Sequence, residues 1–282
     1  MSGAPFDLAP VAGSLGVDVL GLDLGAALDD ATIAAVERAL ATHGVLFFRD
    51  QTLSPEAQVA LGRRFGTLDV HPAYSREGFP PALAILEHSG EHPSLIEEWH
   101  TDMTFRACPP LGSILQARVA PAVGGDTLWS SMHAAWEGLS DRLRRLLVDM
   151  TAVHDFRQGF RHSLATPGGA ERLAAAVAAN PPVEHPVVRR HPVTGRPGLF
   201  VNPLFTTHLV GVREAESRAL LDLVHRHATA PEYTVRFRWA PGSVAFWDNR
   251  ATQHRPVNDH GAQHRLMHRV TIQGDPPEGF AS

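Results

Sequence analysis

The pattern of apolar and polar positions divides the chain into many short elements of both kinds. From Asp30 the apolar residues Ile33, Val36 and Leu40 recur at helical spacing, and Gly44 follows as a stop. Ser54 followed by Pro55 reads as a helix start with proline in the first turn, and Gly66 closes that segment. Ser140 opens a third helix, with Leu143, Leu146 and Leu147 on one face. A fourth runs from about Arg213 to His227, with Leu220, Leu221 and Val224 inward.

Strands read differently. Val45-Leu46-Phe47-Phe48 is a short buried run. Ser113 to Val119 alternates moderately, and Thr234 to Trp239 alternates at period two. Val244 to Trp247 and Leu266 to Ile272 complete a β-rich C-terminal half. Such short strands, punctuated by turns, predict a mainly β sandwich or jelly roll with flanking helices. A single domain over 1–282 is expected. The stretch Asp155 to Pro182, rich in Gly, His and Arg, reads as a mobile excursion or lid.

Composition narrows the chemistry. Of 282 residues, 44% are hydrophobic and 20% charged, ordinary values for a globular chain that can bury a large core. The 25 basic residues are all arginine, since no lysine occurs. That excludes a Schiff base, a pyridoxal-phosphate anchor and a phosphate-loop lysine. The one cysteine, Cys108, excludes an intramolecular disulfide and a thiolate zinc site, and it reads as a small packed residue in a reducing, cytoplasmic compartment. A net charge of −5 argues against a nucleic-acid partner. Met1 to Pro10 does not read as a signal peptide, and no apolar stretch approaches the roughly 20 residues of a membrane span.

Position then selects a candidate site. In Trp99-His100-Thr101-Asp102 an imidazole and a carboxylate stand two residues apart, so on an extended segment both point to one side. His254 is the best distant third ligand. Two histidines and one carboxylate on one face of a metal leave open positions, which suits non-haem Fe(II) oxygen chemistry. Arg265 follows eleven residues after His254, and Arg269 lies four further on. In a strand they share a face, some ~13 Å apart. Two inward guanidinium groups need anions: either ligands, such as a dicarboxylic co-substrate and a substrate head group, or acidic side chains of the core.

These residues resemble the taurine dioxygenase group of the Fe(II)- and 2-oxoglutarate-dependent dioxygenases. The resemblance runs from His43-Gly44-Val45-Leu46 to Gly274-Asp275. It includes Trp99 to Phe105, Gly124 to Trp129, Asn180 to Arg189, Phe200-Val201-Asn202, Trp247 to Arg250 and Met267-His268-Arg269. It implies a double-stranded β-helix (jelly-roll) fold with Fe(II) on His100, Asp102 and His254. It also implies O2 at the open iron position and 2-oxoglutarate chelating the metal, its C5 carboxylate held by Arg265 and Thr127. The sulfonate would lie against Arg269 and His71, with Tyr74, Phe160 and Phe205 shaping the pocket. The implied reaction hydroxylates the carbon next to a sulfonate, releasing sulfite and an aldehyde with succinate and CO2. A homo-oligomer is expected.

Two positions depart from the family pattern. Ile96 replaces an asparagine that contacts taurine, and Gly159 replaces a serine beside the pocket phenylalanine. Both make the pocket more apolar, so longer alkyl sulfonates or alkyl sulfate esters gain on taurine. A zinc hydrolase or a non-catalytic metal-binding jelly roll would use the same His/Asp/His set but not Arg265. Among other residues, Asp248 and Arg250 read as a turn-stabilising ion pair, Gly124-Gly125 as a turn, and Trp129, Trp239 and Trp247 as core. His154, His185, His191, His264 and His268 read as non-ligands.

Overall fold

A computed structural model describes residues 5–70, 76–90 and 96–281. Its largest sheet has seven strands: β1 (Asp7–Pro10), β2 (Val17–Leu20), β3 (Val45–Phe48), β4 (Ala84–His88), β5 (Gly112–Val119), β13 (Val244–Asp248) and β15 (Arg265–Ile272). They lie in the order β1-β2-β3-β13-β5-β15-β4. A three-stranded sheet faces it, built from β6 (Thr127–Ser131), β12 (Thr234–Phe237) and β14 (Thr252–Pro256) in the order β12-β6-β14. Beside them β7 (Thr151–His154), β8 (Val183–Pro186) and β11 (Thr206–Leu209) form a third sheet, and β9 (Val188–Arg190) pairs with β10 (Pro197–Leu199). This is the jelly roll expected from the sequence.

Both faces of the large sheet are covered, which explains why its strands read as apolar runs. On the outer face Leu46, Phe48, Ile114, Val244, Phe246, Val270 and Ile272 pack against Ile33, Val36 and Leu40 of α1 (Asp30–His43) and Val59 of α2 (Pro55–Arg63). On the inner face Val45, Phe47, Leu115, Ala117, Ala245, Trp247 and Met267 meet Trp129, Val235 and Phe237 of the opposing sheet. Helix ends follow the expected signals. Asp29 accepts from the Thr32 N–H at 2.8 Å to cap α1, and the Gly44 N–H bonds Leu40 O at its end. Ser54 caps α2 at 3.1 Å with Pro55 in the first turn.

Several expectations need correcting. The helix after Ser140, α4 (Asp141–Leu147), buries Leu147, but Leu146 faces outward at 47% exposure, because a seven-residue helix buries only a narrow stripe. It follows α3 (Met132–Glu137). Cys108 is exposed rather than packed. The stretch from Asp155, expected as an excursion or lid, holds α5 (Phe156–Gly159), α6 (Arg161–Ala165) and α7 (Gly169–Ala179), the last rich in alanine, the strongest helix former. The fourth expected helix is α8 (Glu214–Ala228), with Leu221 and Val224 buried and Leu220 half-buried. No helix among the described residues is long and apolar enough to cross a membrane.

Candidate active site

Strand register turns one set of side chains into the space between the two main sheets. On β15 the alternation puts Arg265, Met267 and Arg269 inward, while Leu266 and Val270 join the outer core. His268 also leaves the inner face, edge-on to Phe79, and His264 bonds Glu87 at 2.8 Å. The pairing of β15 with β4 sets His88 beside Arg265 and Ala84 beside Arg269, and the pairing with β5 adds Leu115 and Ser113. From the opposing sheet Thr127 and Trp129 of β6 and His254 of β14 face back. The cavity has a volume of about 370 Å³, and Ile96, Phe160 and His162 are among its lining residues.

His100, Asp102 and His254 meet at its base, all buried, with ligating atoms within 4.8 Å of one another. Two backbone hydrogen bonds join the histidines: His100 N donates to His254 O at 2.9 Å, and His254 N to His100 O at 2.7 Å. The extended stretch stops there, and the chain turns at Asp102 and Met103, whose φ of 47° is left-handed. The carboxylate therefore reaches the histidines through a turn and not through strand alternation alone. Its Oδ1 lies 3.9 Å from His100 Nε2 and 3.7 Å from His254 Nε2.

The donors are in the states a metal requires. His100 Nδ1 contacts the Glu98 carbonyl at 3.0 Å. A carbonyl only accepts, so Nδ1 carries the proton and Nε2 keeps its lone pair. Burial pushes the pKa of both histidines down, that of His254 well below the ordinary value. Burial alone would raise the Asp102 carboxyl, but the Arg269 guanidinium foremost, with a hydrogen bond from Asn249, holds it well below the usual carboxylate range. Two neutral imidazoles and one carboxylate fit a divalent first-row ion, with the cavity on the open side.

The second oxygen of Asp102 is held elsewhere. Arg269 Nη2 lies 2.9 Å from Oδ2, Asn249 Nδ2 donates to it at 3.2 Å, and Ser113 Oγ at 3.4 Å. Trp247 Nε1 fixes Asn249 in turn by donating to its Oδ1 at 2.9 Å. Asn249 was missed by sequence reasoning, although it stands in the Trp247 to Arg250 run that carries the resemblance. The predicted pair Asp248–Arg250 is present and buried, and Asp248 also meets His191 at 3.1 Å. His154 and His185 brace Thr104 from behind, at 2.9 Å to its hydroxyl and 2.9 Å to its carbonyl.

The two arginines divide the alternatives left open by the sequence. Arg269 pairs with an acidic side chain, Asp102, and its Nε donates to Thr271 Oγ1 at 3.1 Å. Arg265 is 6% exposed, and among the described residues its side chain has no acidic partner and no hydrogen bond. Burial lowers its pKa to about 10, so it stays charged at neutral pH. Thr127, also on the cavity, accepts from Trp239 Nε1 at 3.0 Å and keeps its own hydroxyl proton to donate. A buried cation beside a free donor suits a carboxylate. Trp129, Trp239 and Trp247 are buried as expected, but Trp129 and Trp247 also line the cavity around His254.

The opposite end is apolar. Phe105, Phe160, Leu204, Phe205, Ile96 and Gly159 form it, and no acidic side chain stands among them. Arg161 of α6 pairs with Glu98 at 2.7 Å, tying this helical wall to the segment before His100. His71 and Tyr74 lie outside the described residues.

Fold and site together are those of a 2-oxoglutarate-dependent dioxygenase. The chain belongs to the taurine catabolism dioxygenase TauD, TfdA family, whose model matches residues 7–271. It is 38% identical over 277 residues to an alpha-ketoglutarate-dependent sulfate ester dioxygenase of Pseudomonas putida, covering 97% of this chain and 91% of that one. An alkylsulfatase of Acinetobacter baylyi is 36% identical, covering 96% and 86%. Among solved structures, a taurine dioxygenase from Burkholderia xenovorans superposes with a TM-score of 0.83 at 38% identity, covering 97% of this chain and 91% of that chain.

Proposed function

We propose that the chain oxidises linear alkyl sulfate esters at the carbon bearing the sulfate. In this reading His100, Asp102 and His254 hold Fe(II). Arg265 and Thr127 hold the far carboxylate of 2-oxoglutarate, and Arg269 takes the sulfate head group. Bound Fe(II) and 2-oxoglutarate supply the oxidising power by activating O2. The net change is R–CH2–OSO3⁻ + O2 + 2-oxoglutarate → R–CHO + HSO4⁻ + succinate + CO2. Hydroxylation gives a hemiacetal sulfate, whose C–O bond to sulfate breaks as the hydroxyl proton leaves.

The protein's own part is binding and placement. The unpaired Arg265 fixes the co-substrate end through a guanidinium–carboxylate fork. Arg269 supplies a permanent cation to an anion that stays ionised near neutral pH. Asn249, Ser113 and Arg269 hold Oδ2 of Asp102, which presents Oδ1 to the ion. The phenylalanine-lined end takes the alkyl chain, keeps water out and sets the C–H to be attacked.

The observation that carries this choice is the apolar end itself. The ammonium of taurine would find Ile96 and Gly159 there, and the two carboxylates among the described lining residues are already engaged, Asp102 with Arg269 and Asp69 with Arg106 at 2.9 Å, which leaves a buried ammonium without compensation. The two relatives named for sulfate esters support the same substrate class. Alkyl sulfonates, cleaved to sulfite, are the second reading, favoured by the likeness to a taurine dioxygenase. The test is a panel of alkyl sulfates, alkyl sulfonates and taurine with Fe(II), 2-oxoglutarate and O2, scored by succinate with sulfate and sulfite measured separately. Sulfate release from a medium-chain ester is the expected best reaction. A clear preference for taurine overturns the assignment.

A further inference from the structure

We propose that Gly159 sets the length of alkyl chain the cavity accepts, by leaving the space into which the Phe205 ring leans. This rests on the alkyl-sulfate reading above. A Cβ built on Gly159 would lie 2.2 Å from Phe205 Cε1, 2.6 Å from Cδ1 and 3.2 Å from Cζ. Real Cβ contacts essentially never fall below 3.0 Å and ordinary ones begin at 3.4 Å, so the ring occupies the volume of a missing side chain. Gly159 sits in α5 with no left-handed backbone to require a glycine, so the requirement is steric.

Phe205 has little freedom to retreat. Its N–H donates to Asn202 Oδ1 at 2.9 Å, and its carbonyl accepts from Asp155 N at 2.9 Å. Phe105 stands against the ring on another side, edge-on with centroids 5.0 Å apart. Its neighbour Phe160 is stacked on Phe156 at 4.2 Å. Gly159 and Phe205 both line the cavity. A methyl at position 159 therefore drives the ring toward the open volume and shortens the apolar end. The displacement needed to relieve the contact, about 1.2 Å, is of the order of one methylene step.

The experiment compares the wild type, Gly159→Ala, Phe205→Leu and the double variant over linear sulfates from ethyl to decyl. The readouts are succinate and sulfate, with the KM for 2-oxoglutarate and the melting temperature as controls. Gly159→Ala should lower kcat/KM for the longest accepted chains by roughly tenfold, the worth of a methylene or two in an apolar pocket. Ethyl sulfate should lose the least. Phe205→Leu in the same chain should restore the long substrates, and alone it should extend the accepted length. A crystal structure of Gly159→Ala should show the ring moved into the cavity.

An unchanged length profile, a uniform loss across all chains, or no rescue by Phe205→Leu each overturns the inference and leaves the substrate reading intact. A wild type that consumes no member of the series overturns the substrate reading, and the inference falls with it.

Discussion

The two ends of the cavity are built by different means. At the base, His100, Asp102, His254, Arg265 and Thr127 stand on strands or on a segment bridged to one, and hydrogen bonds fix the Asp102 carboxylate and the His100 ring. At the far end Phe105, Phe160, Leu204 and Phe205 come from turns; Phe105 meets the rings of Phe160 and Phe205, and Leu204 packs in the same cluster. Directional bonds allow one arrangement, so the base suits a reaction that needs fixed donors. Packed rings tolerate replacement and shift by small amounts, so the far end suits the task of choosing a substrate. Chemistry and selectivity are thus separable by region.

The largest expected effect tests the base. Asp102→Ala should abolish divalent-metal binding, measured by equilibrium dialysis, and reduce 2-oxoglutarate-dependent succinate formation to background. Wild-type turnover would break the assignment of function to this end. Arg265→Ala removes the charged partner of the co-substrate and should raise its KM by roughly a hundredfold, from the worth of charge-assisted hydrogen bonds. Metal affinity should be unmoved, since Arg265 does not contact the three donors.

Asn249→Ala tests whether the bonds behind the carboxylate matter. It frees Oδ2 from one of its donors and should weaken metal binding by roughly tenfold. Unchanged affinity would mean that Arg269 and Ser113 suffice to orient Asp102.

Acid should act on the scaffold behind both ends. Burial lowers His133 and His225 to about 4, against about 6.5 in the unfolded chain. As pH falls the unfolded chain takes up these protons first. The stability is therefore full above about 6.5 and is lost progressively toward 4. Melting temperatures measured across that window should drop steadily, and a flat profile would contradict the burial of these rings. The smallest effect belongs to the Arg161–Glu98 pair, with side chains 38% and 37% exposed. Arg161→Ala should cost less than about 1 kcal/mol in denaturant unfolding, as half-exposed pairs do.

Part of the base was legible in the sequence from periodicity, and Thr127 and the ligand roles of the two arginines only from the resemblance. The run Val45–Phe48 matches β3 residue for residue, and period two alone puts Arg265 and Arg269 on the face opposite His268. The Asp248–Arg250 pair is local in sequence, and it forms. What stayed hidden depends on contacts between distant segments or on turn geometry. The hydrogen bond from Asn249 to Asp102 spans 147 positions, and the fit of Phe205 over Gly159 joins a turn to the end of α5. The outward face of Leu146 and the exposure of Cys108 depend on what packs nearby, which no spacing rule records.

The backbone bridge between His100 and His254 has a consequence for how the molecule holds together without its ion. The two residues are roughly 150 positions apart in sequence, and bringing such distant points together carries a sizeable loop-closure entropy. Here the sheets close that loop themselves, through main-chain bonds that involve none of the ligating atoms. The protein therefore differs from small zinc domains, in which the ion is the fold's fastener. A chelator should leave a folded, silent protein, and returning the ion should restart it without any refolding delay.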